Sequence, residues 1–153
     1  MNAPQNPTHL QPDPQTLEDW QHWHRERLRV LQAPDGWLTL AGLVWLEDGV
    51  HSVGSADGCA IQLPGAGRCP PRWGSLRIAG KSAFWRPEGG TEVPLETDHP
   101  GPATVVQQGD VGFHLLERND ALALRVKDAQ AETRTGFRGT ELFAFDPSLQ
   151  ITA

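Results

Sequence analysis

The stretch that decides the fold is GLVWLEDGVHSVGS, residues 42–55. Apolar side chains precede and follow the turn residues Glu47, Asp48 and Gly49, which is the pattern of two short strands joined by a tight turn. Glycine-rich stretches can also hold phosphates, but this one has no P-loop lysine, has no third glycine of a dinucleotide-binding loop and follows no strand–helix–strand unit. The sequence therefore predicts a β-hairpin that packs against a core.

The same alternation of short extended runs and turns continues through most of the chain. In residues 121–128, Leu122, Leu124 and Val126 alternate with small or charged residues, which is the pattern of a strand with one buried face. The 16 glycines and 13 prolines supply the turns that a many-stranded fold needs. The predicted strands cover residues 37–40, 43–46, 50–53, 60–63, 75–78, 83–86, 92–95, 104–107, 113–118, 121–127 and 142–145.

The region before these strands predicts a tail and a helix. Residues 1–15 contain four prolines and few apolar side chains, so they bury too little surface to offset the entropy of ordering. Thr16 followed by Asp19 resembles a capping box. Helical spacing then connects Leu17, Trp20, His24, Leu28 and Leu31. We predict a flexible tail over 1–15, an amphipathic helix over 16–33 and a single β-sandwich domain over 34–153.

Composition and charge exclude several classes of partner. The net charge of −6 offers no concentrated positive face to nucleic acid or to an anionic membrane. No apolar run approaches the roughly 20 residues that span a bilayer, and the first residues lack the features of a signal peptide. We therefore predict a cytoplasmic protein without a nucleic-acid or membrane partner. Cys59 and Cys69 are too few for a disulfide scaffold, and two free thiols are favoured over a bridge.

The sequence contains no catalytic, metal or cofactor motif. The six histidines have no metal-ligand spacing, and no nucleophile elbow is present, so we predict no catalytic residue, no metal and no cofactor. His51 and His114 each lie in a predicted strand and form an alternative polar site if they meet across a sheet. Isolated acids such as Asp98, Asp110 and Asp128 are common in turns, although two of them could pair as acid and base.

Six tryptophans stand in a chain with no tyrosine. Stacked indoles hold sugars and other flat ligands in many proteins, but large aromatic side chains more often fill small cores, so we predict core packing for most of them. Trp73 lies in a loop between Arg72 and Gly74, and Arg68 is close to it in sequence. Arg68, Arg72 and Trp73 are therefore the predicted binding patch.

From Trp20 onward the chain resembles the N-terminal part of a bacterial domain-of-unknown-function family, number sixteen-eighty-four. The resemblance is carried by Trp23-His24-x-x-Arg27, Asp35-Gly36-Trp37-Leu38-x-Leu40-x-Gly42-Leu43-x-Trp45-Leu46-x-x-Gly49, Val53-Gly54-Ser55, Arg125-Val126-x-Asp128 and Phe137-x-Gly139. That family continues into a second β-rich segment with Tyr-Asn-Pro-Pro-Cys and Cys-Pro-x-Pro motifs, which this sequence lacks. The resemblance therefore implies either a natural truncation or one domain of a longer gene product, and it supplies no activity.

Residues 49–55 and 59–63 are also similar to the early strands of forkhead-associated domains, which are β-sandwiches that bind phosphothreonine peptides. In those domains an arginine that grips the phosphate follows the glycine, and here Ser55 follows Gly54. A hydroxyl cannot replace a bidentate guanidinium. The resemblance implies the fold, a mainly-β, forkhead-associated-like antiparallel β-sandwich preceded by one amphipathic helix, without phosphopeptide recognition.

Three functional hypotheses follow from the sequence. The favoured one is a non-catalytic module that binds a protein or peptide partner through its loops. The second is part of an enzyme whose site is completed by a further C-terminal segment or a second chain. This hypothesis predicts an uncovered sheet edge or apolar face, and such a surface could also form a homo-oligomer. The third is sugar or lipid binding by the indoles, which predicts an open apolar pocket lined by at least two tryptophans.

Overall fold

The computed structural model of the protein describes residues 14–65 and 67–146. Contacts group Gln32–Phe137 into one compact unit, and the described residues 14–31 and 138–146 into another. The predicted sandwich boundary at 153 therefore differs from the observed one, since residues 138–146 group with the helix. Residues 1–13 of the predicted tail and 147–153 of the predicted sandwich lie outside the described residues.

Helix α1 spans Pro14–Leu31 and begins two residues before Thr16. Proline suits a first helical position, because its fixed φ is helical and its missing N–H would have no partner there. The predicted stripe from Leu17 to Leu31 is the less exposed side of the helix, which confirms the amphipathic pattern. Within the described part of the chain, no helix is both long and apolar enough to cross a membrane. The cytoplasmic location stays a prediction.

The β-rich unit has nine strands in its described residues, arranged in two sheets. The four-stranded sheet has the order β1-β9-β8-β7, and the five-stranded sheet has the order β3-β2-β4-β5-β6. This confirms a mainly-β fold of two sheets with a preceding helix. The strands are β1 (Leu40–Leu46), β2 (Gly49–Gly54), β3 (Ile61–Gln62), β4 (Gly74–Ala79), β5 (Ser82–Pro87), β6 (Val93–Leu95), β7 (Val106–Gln108), β8 (Val111–Arg118) and β9 (Ala121–Asp128).

The predicted hairpin of residues 42–55 is wrong in its pairing. Strand β1 pairs with β9, whereas β2 pairs with β3 and β4. The turn at residues 47–49 therefore carries the chain from one sheet to the other. Gly49 has a φ of 139°, which disfavours any residue with a side chain. Both strands exist as predicted, and each packs its inner face against the common core. They are not hydrogen-bonded to each other, because they belong to different sheets.

Three further predictions about strands are corrected. Strands β2 and β3 run parallel, because the loop 55–60 returns the chain before β3 begins, so the fold is not wholly antiparallel. Trp37–Thr39 forms a 3-10 turn, since Thr39 bonds to the Gly36 carbonyl through both its N–H and its hydroxyl. Residues 142–145 form no strand, because no neighbouring strand bonds to them, and Phe145 instead lies 5.6 Å from the Trp20 ring.

The core lies between the two sheets and is built from alternate residues of the strands. Trp85 of β5 and Phe113 of β8 meet edge to face with ring centroids 5.1 Å apart, and Trp73 approaches both rings at 5.9 Å and 5.5 Å. Edge-to-face packing is the favoured arrangement of aromatic rings. Only two of the six tryptophans, Trp73 and Trp85, are therefore buried core residues, fewer than predicted, and one of them is the loop residue that the sequence assigns to the binding patch.

A short helix, α2 (Glu132–Thr135), follows β9 and completes this unit. Its Thr133 hydroxyl donates a hydrogen bond to the Leu38 carbonyl at 2.7 Å. Arg134 donates to the carbonyls of Gln32 and Ala129, both at 2.8 Å. These bonds fasten the chain before β1 to the chain after β9, which places the 3-10 turn at one end of the four-stranded sheet.

Candidate functional site

The structure does not expose the predicted patch of Arg68, Arg72 and Trp73 together. Trp73 is only 7% exposed, because its backbone N–H pairs with the Val53 carbonyl and its ring packs between the sheets. Arg68 is engaged by Asp128. Arg72 is exposed and lines a cavity of about 220 Å³ on the five-stranded sheet, beside Arg86 and two serines. The aromatic anchor of the patch is therefore missing from the surface.

Asp128 is nearly fully buried and has a structural role. Its two carboxylate oxygens accept hydrogen bonds from Arg68 at 2.7 and 2.8 Å, and one of them also accepts from the Gln130 N–H. The guanidinium holds the pKa of the Asp128 carboxyl below its usual range. Asp98 is similarly paired with Arg118. Both acids are therefore paired with an arginine.

We expect Asp128→Asn to lower the free energy of unfolding by about 2 kcal/mol at pH 7. One N–H group of Arg68 would then face the NH2 group of the amide, which is also a donor, and would lose its hydrogen bond. A carboxyl with a depressed folded-state pKa stabilises the protein above its unfolded pKa of about 3.9. The difference between the two proteins should therefore shrink as the pH falls through the lowered pKa of Asp128. Urea denaturation from pH 7 down to pH 3 measures it.

Asp120→Asn is the control for this substitution. Asp120 is exposed and pairs with Lys81 at the surface, where ion pairs contribute little. Its urea midpoint should stay close to that of the unchanged protein. Equal midpoint shifts for Asp128→Asn and Asp120→Asn would contradict this prediction. They would show that the buried Arg68–Asp128 pair stabilises the fold no more than the exposed Lys81–Asp120 pair.

His51 and His114 do not meet. His51 lies in β2 of the five-stranded sheet, and its ring nitrogen is 2.8 Å from the Glu47 carbonyl oxygen. His114 lies in β8 of the other sheet, on the face that points away from the core. The predicted alternative polar site is therefore not formed, because the two histidines belong to different sheets.

Among residues 14–65 and 67–146, no three His, Cys, Asp or Glu side chains are grouped to hold a metal ion. Cys59 and Cys69 are both free thiols. Burial raises the pKa of the Cys69 thiol, so this sulfur stays protonated near neutral pH. The Cys59 thiol donates to the Pro71 carbonyl at 3.4 Å. Both cysteines thus act as ordinary packing residues in this structure.

A concave surface lies on the outward face of the four-stranded sheet, and we call it the outer cavity. Its volume is about 460 Å³, within the usual range of small-molecule sites. It combines apolar side chains with several cationic ones. The lining residues are Asp35, Gly36, Trp37, Leu40, Leu43, Trp45, His114, Leu116, Arg118, Ala123, Arg125 and Lys127.

Strand alternation and register explain why these side chains share one face. Leu43 of β1, Arg125 of β9 and His114 of β8 lie side by side across three strands. The next row contains Trp45, Ala123 and Leu116 in the same order. Ala123 and Leu116 are buried in this row, whereas Trp45 is exposed. The two neighbouring rows together supply six of the residues that line the cavity.

The second indole comes from the 3-10 turn before β1. Lys127 donates a hydrogen bond from Nζ to the Asp35 carbonyl at 2.8 Å, and Thr133 bonds to the Leu38 carbonyl. The backbone on both sides of Trp37 is thus held in place while its ring remains 70% exposed. The indole is presented at the end of the cavity by a fixed turn.

The cations of the outer cavity differ in what they contact. The Arg118 guanidinium is committed to Asp98, and Lys127 donates to a backbone carbonyl. Among the described residues, none accepts a hydrogen bond from the Arg125 guanidinium or forms an ion pair with it. Burial lowers the pKa of His114, and the nearby charges of Lys127 and Arg125 lower it further, so its ring is uncharged near neutral pH. The cavity therefore offers one half-buried guanidinium without a partner.

Sequence reasoning from single residues did not identify this site. Trp45 was assigned to the core because it lies in a strand, yet it is 57% exposed. The available signal was that β1 is apolar on both faces: Val44 and Leu46 point inward, while Leu43 and Trp45 point outward. An edge strand that is apolar on both faces has a second surface to cover.

No protein-family model matches this chain, and no curated protein is significantly similar to it. The class that the structure defines is a mainly-β protein whose two sheets enclose one core, with a preceding helix. Function is therefore inferred from the outer cavity itself, through its shape, its exposed rings and its charges.

Proposed function

We propose that the protein is a non-catalytic binding module whose ligand occupies the outer cavity. The observation that carries this proposal is the pair of exposed indoles, Trp37 and Trp45, on one concave surface of a single rigid sheet and its attached turn. Removing such large rings from water is favourable, and flat ligands gain further from stacking. This arrangement matches the hypothesis of ligand binding by indoles better than it matches binding through the loop that contains Arg72.

The proposed family membership is consistent with this location. The motif residues on which the resemblance to family sixteen-eighty-four rests include seven that line the outer cavity: Asp35, Gly36, Trp37, Leu40, Leu43, Trp45 and Arg125. We also propose that the two-sheet fold is of the forkhead-associated-like type. In this chain the Ser55 hydroxyl donates to the Cys69 carbonyl at 2.8 Å and is part of the loop structure, which argues against phosphopeptide recognition at that position.

We expect Trp45→Ala to weaken binding of the neutral dye N-phenyl-1-naphthylamine by about tenfold, since a stacked and covered indole contributes roughly 1–3 kcal/mol. The ring is exposed in the free protein, so the Tm should change little. Fluorescence titration measures the affinity, and thermal unfolding checks the fold.

Trp23→Ala is the matched control, because Trp23 is also an exposed indole, at 53%, but lies in α1. It should leave the dye affinity unchanged. The proposal would be contradicted if the unchanged protein did not bind the dye, or if the two substitutions weakened binding equally.

The second candidate is part of an enzyme, and the uncharged His114 beside two cations favours it. A neutral imidazole can accept a proton during a reaction. Among the described residues, no serine, threonine or cysteine lines the outer cavity, so a water molecule activated by His114 is the nucleophile that this candidate requires. Hydrolysis of p-nitrophenyl acetate separates the candidates: a rate that His114→Gln abolishes while dye binding persists favours the enzyme, and no rate above buffer favours the module.

A further inference from the structure

We infer that the ligand of the outer cavity is a small organic anion with a flat apolar body, and that Arg125 binds its charged group. This inference rests on the proposed binding function and adds the chemical class of the ligand. It also assigns different parts of the cavity to different parts of the ligand.

The local charge of the cavity is opposite to that of the whole chain. The protein has a formal net charge of −6, yet three cationic side chains line the cavity, namely Arg118, Arg125 and Lys127. Asp35 is the one carboxylate that lines it among the described residues. A concave surface with one sign of charge concentrates ligands of the opposite sign. An anion is therefore favoured over a neutral sugar or a cation.

Arg125 is the residue best placed to bind the anionic group. It lies in the middle of the sheet between Leu43 and His114, and it is half-buried. Arg118 already pairs with Asp98, whereas no described residue accepts a hydrogen bond from the Arg125 guanidinium. Its planar guanidinium can donate two parallel hydrogen bonds to a carboxylate, sulfonate or phosphate. Binding an anion would give this cation the partner that it lacks within the described chain.

The remaining surface selects a flat body of limited size. Trp45 and Leu116 flank the small, buried Ala123 in one row of the cavity, and Trp37 adds a second exposed indole to its lining. A volume of about 460 Å³ suits a small molecule of one or two rings. A peptide or a second copy of the chain would have to place both an acidic and an aromatic side chain here. We therefore propose a small molecule as the occupant.

The experiment compares two dyes that share one ring system. 8-Anilino-1-naphthalenesulfonate carries a sulfonate, and N-phenyl-1-naphthylamine does not. We expect the unchanged protein to bind the anionic dye at least ~10-fold more tightly, as a charge-assisted bidentate contact allows. Arg125→Gln should weaken binding of the anionic dye and reduce this preference to about one. Arg72→Gln, which changes an exposed arginine of the other sheet, should preserve the preference.

A salt titration tests the inference without a substitution. Affinity for the anionic dye should fall as NaCl increases, because salt screens the attraction, while affinity for the neutral dye should not. Arg125→Lys should keep part of the preference, since the charge remains but the planar fork is lost.

Several outcomes would overturn the inference. Equal affinity for the two dyes in the unchanged protein would overturn it and leave the binding function standing. Binding of neither dye would overturn both proposals. A dimer that Trp45→Ala dissociates in analytical ultracentrifugation would show that a second copy covers this face. A preference that Arg72→Gln removes and Arg125→Gln does not would place the anion on the other sheet.

Discussion

Phe113→Ala is expected to lower the free energy of unfolding by about 4 kcal/mol, within the usual range for removing a buried aromatic ring. Phe113 is completely buried, and its ring lies edge-on to Trp73 and Trp85. The two indoles come from the opposite side of the core and are fixed by their own backbone bonds. They cannot move far enough to fill the space, so a cavity remains. Urea denaturation at pH 7 measures the loss.

Phe143→Ala is the control with the same change of side chain. Phe143 is 97% exposed, so its removal should change the free energy of unfolding by less than about 0.5 kcal/mol. If Phe113→Ala were as mild as Phe143→Ala, the aromatic cluster would not be what holds the two sheets together. The comparison also separates core packing from a general effect of losing an aromatic side chain.

Gly54→Ala is expected to destabilise the protein by about 3 kcal/mol or more, which is at the upper end for adding one methyl group to a packed interior. A Cβ at this position would lie 2.2 Å from the Pro71 carbonyl oxygen and 3.0 Å from the Arg72 Cα. These are backbone atoms, and the same carbonyl accepts from the Ala56 N–H. The clash can be relieved only by moving paired backbone, so we expect a large loss by urea denaturation.

Gly58→Ala is the matched control, four residues later in the chain. No atom lies within 4 Å of its position for a Cβ, and its φ is not positive. Its substitution should be neutral or stabilising by a few tenths of a kcal/mol, since alanine restricts the unfolded chain. Similar stability for the two variants would mean that the loop around Pro71 moves freely and that Gly54 has no packing role.

The Gly54 result would also explain the glycine that first suggested a phosphate-binding loop. In the structure this glycine lets the chain at Pro71 approach β2 closely, and Trp73 then enters the core two residues later. The glycine therefore makes room for the backbone segment that leads Trp73 into the aromatic cluster. The lack of a side chain lets two backbone segments lie close together. This stretch therefore shares its glycine content with a phosphate-binding loop, but not its function.

Prediction from the sequence was most successful where a pattern depends on neighbouring residues. The alternation in residues 121–128 predicted β9, and its leucines and valine do face the core. The helical spacing from Leu17 to Leu31 predicted α1. Pairing was not predictable in the same way, because β1 finds its partner in β9, about eighty residues away, and not in the adjacent β2. A turn signal shows that the chain bends but does not show which sheet it enters.

The same difference between local patterns and long-range contacts applies to the candidate site. Arg68 and Trp73 were grouped because they are close in sequence, but one pairs with Asp128 and the other fills the core. Trp37 and Arg125 are far apart in sequence and line one cavity. No local pattern connects them, since their proximity depends on the pairing of β1 with β9 and on the bonds that hold the turn before β1.

By itself, the sequence determined the mainly-β class, the amphipathic helix and most of the individual strands, because hydrophobic alternation and turn residues act within a few positions. Only the tertiary structure decided which strands pair, which tryptophans are buried and which arginine lacks a partner. The physical reason is that burial and charge pairing depend on contacts between distant residues. The same indole is core or binding surface according to which face of which sheet it occupies.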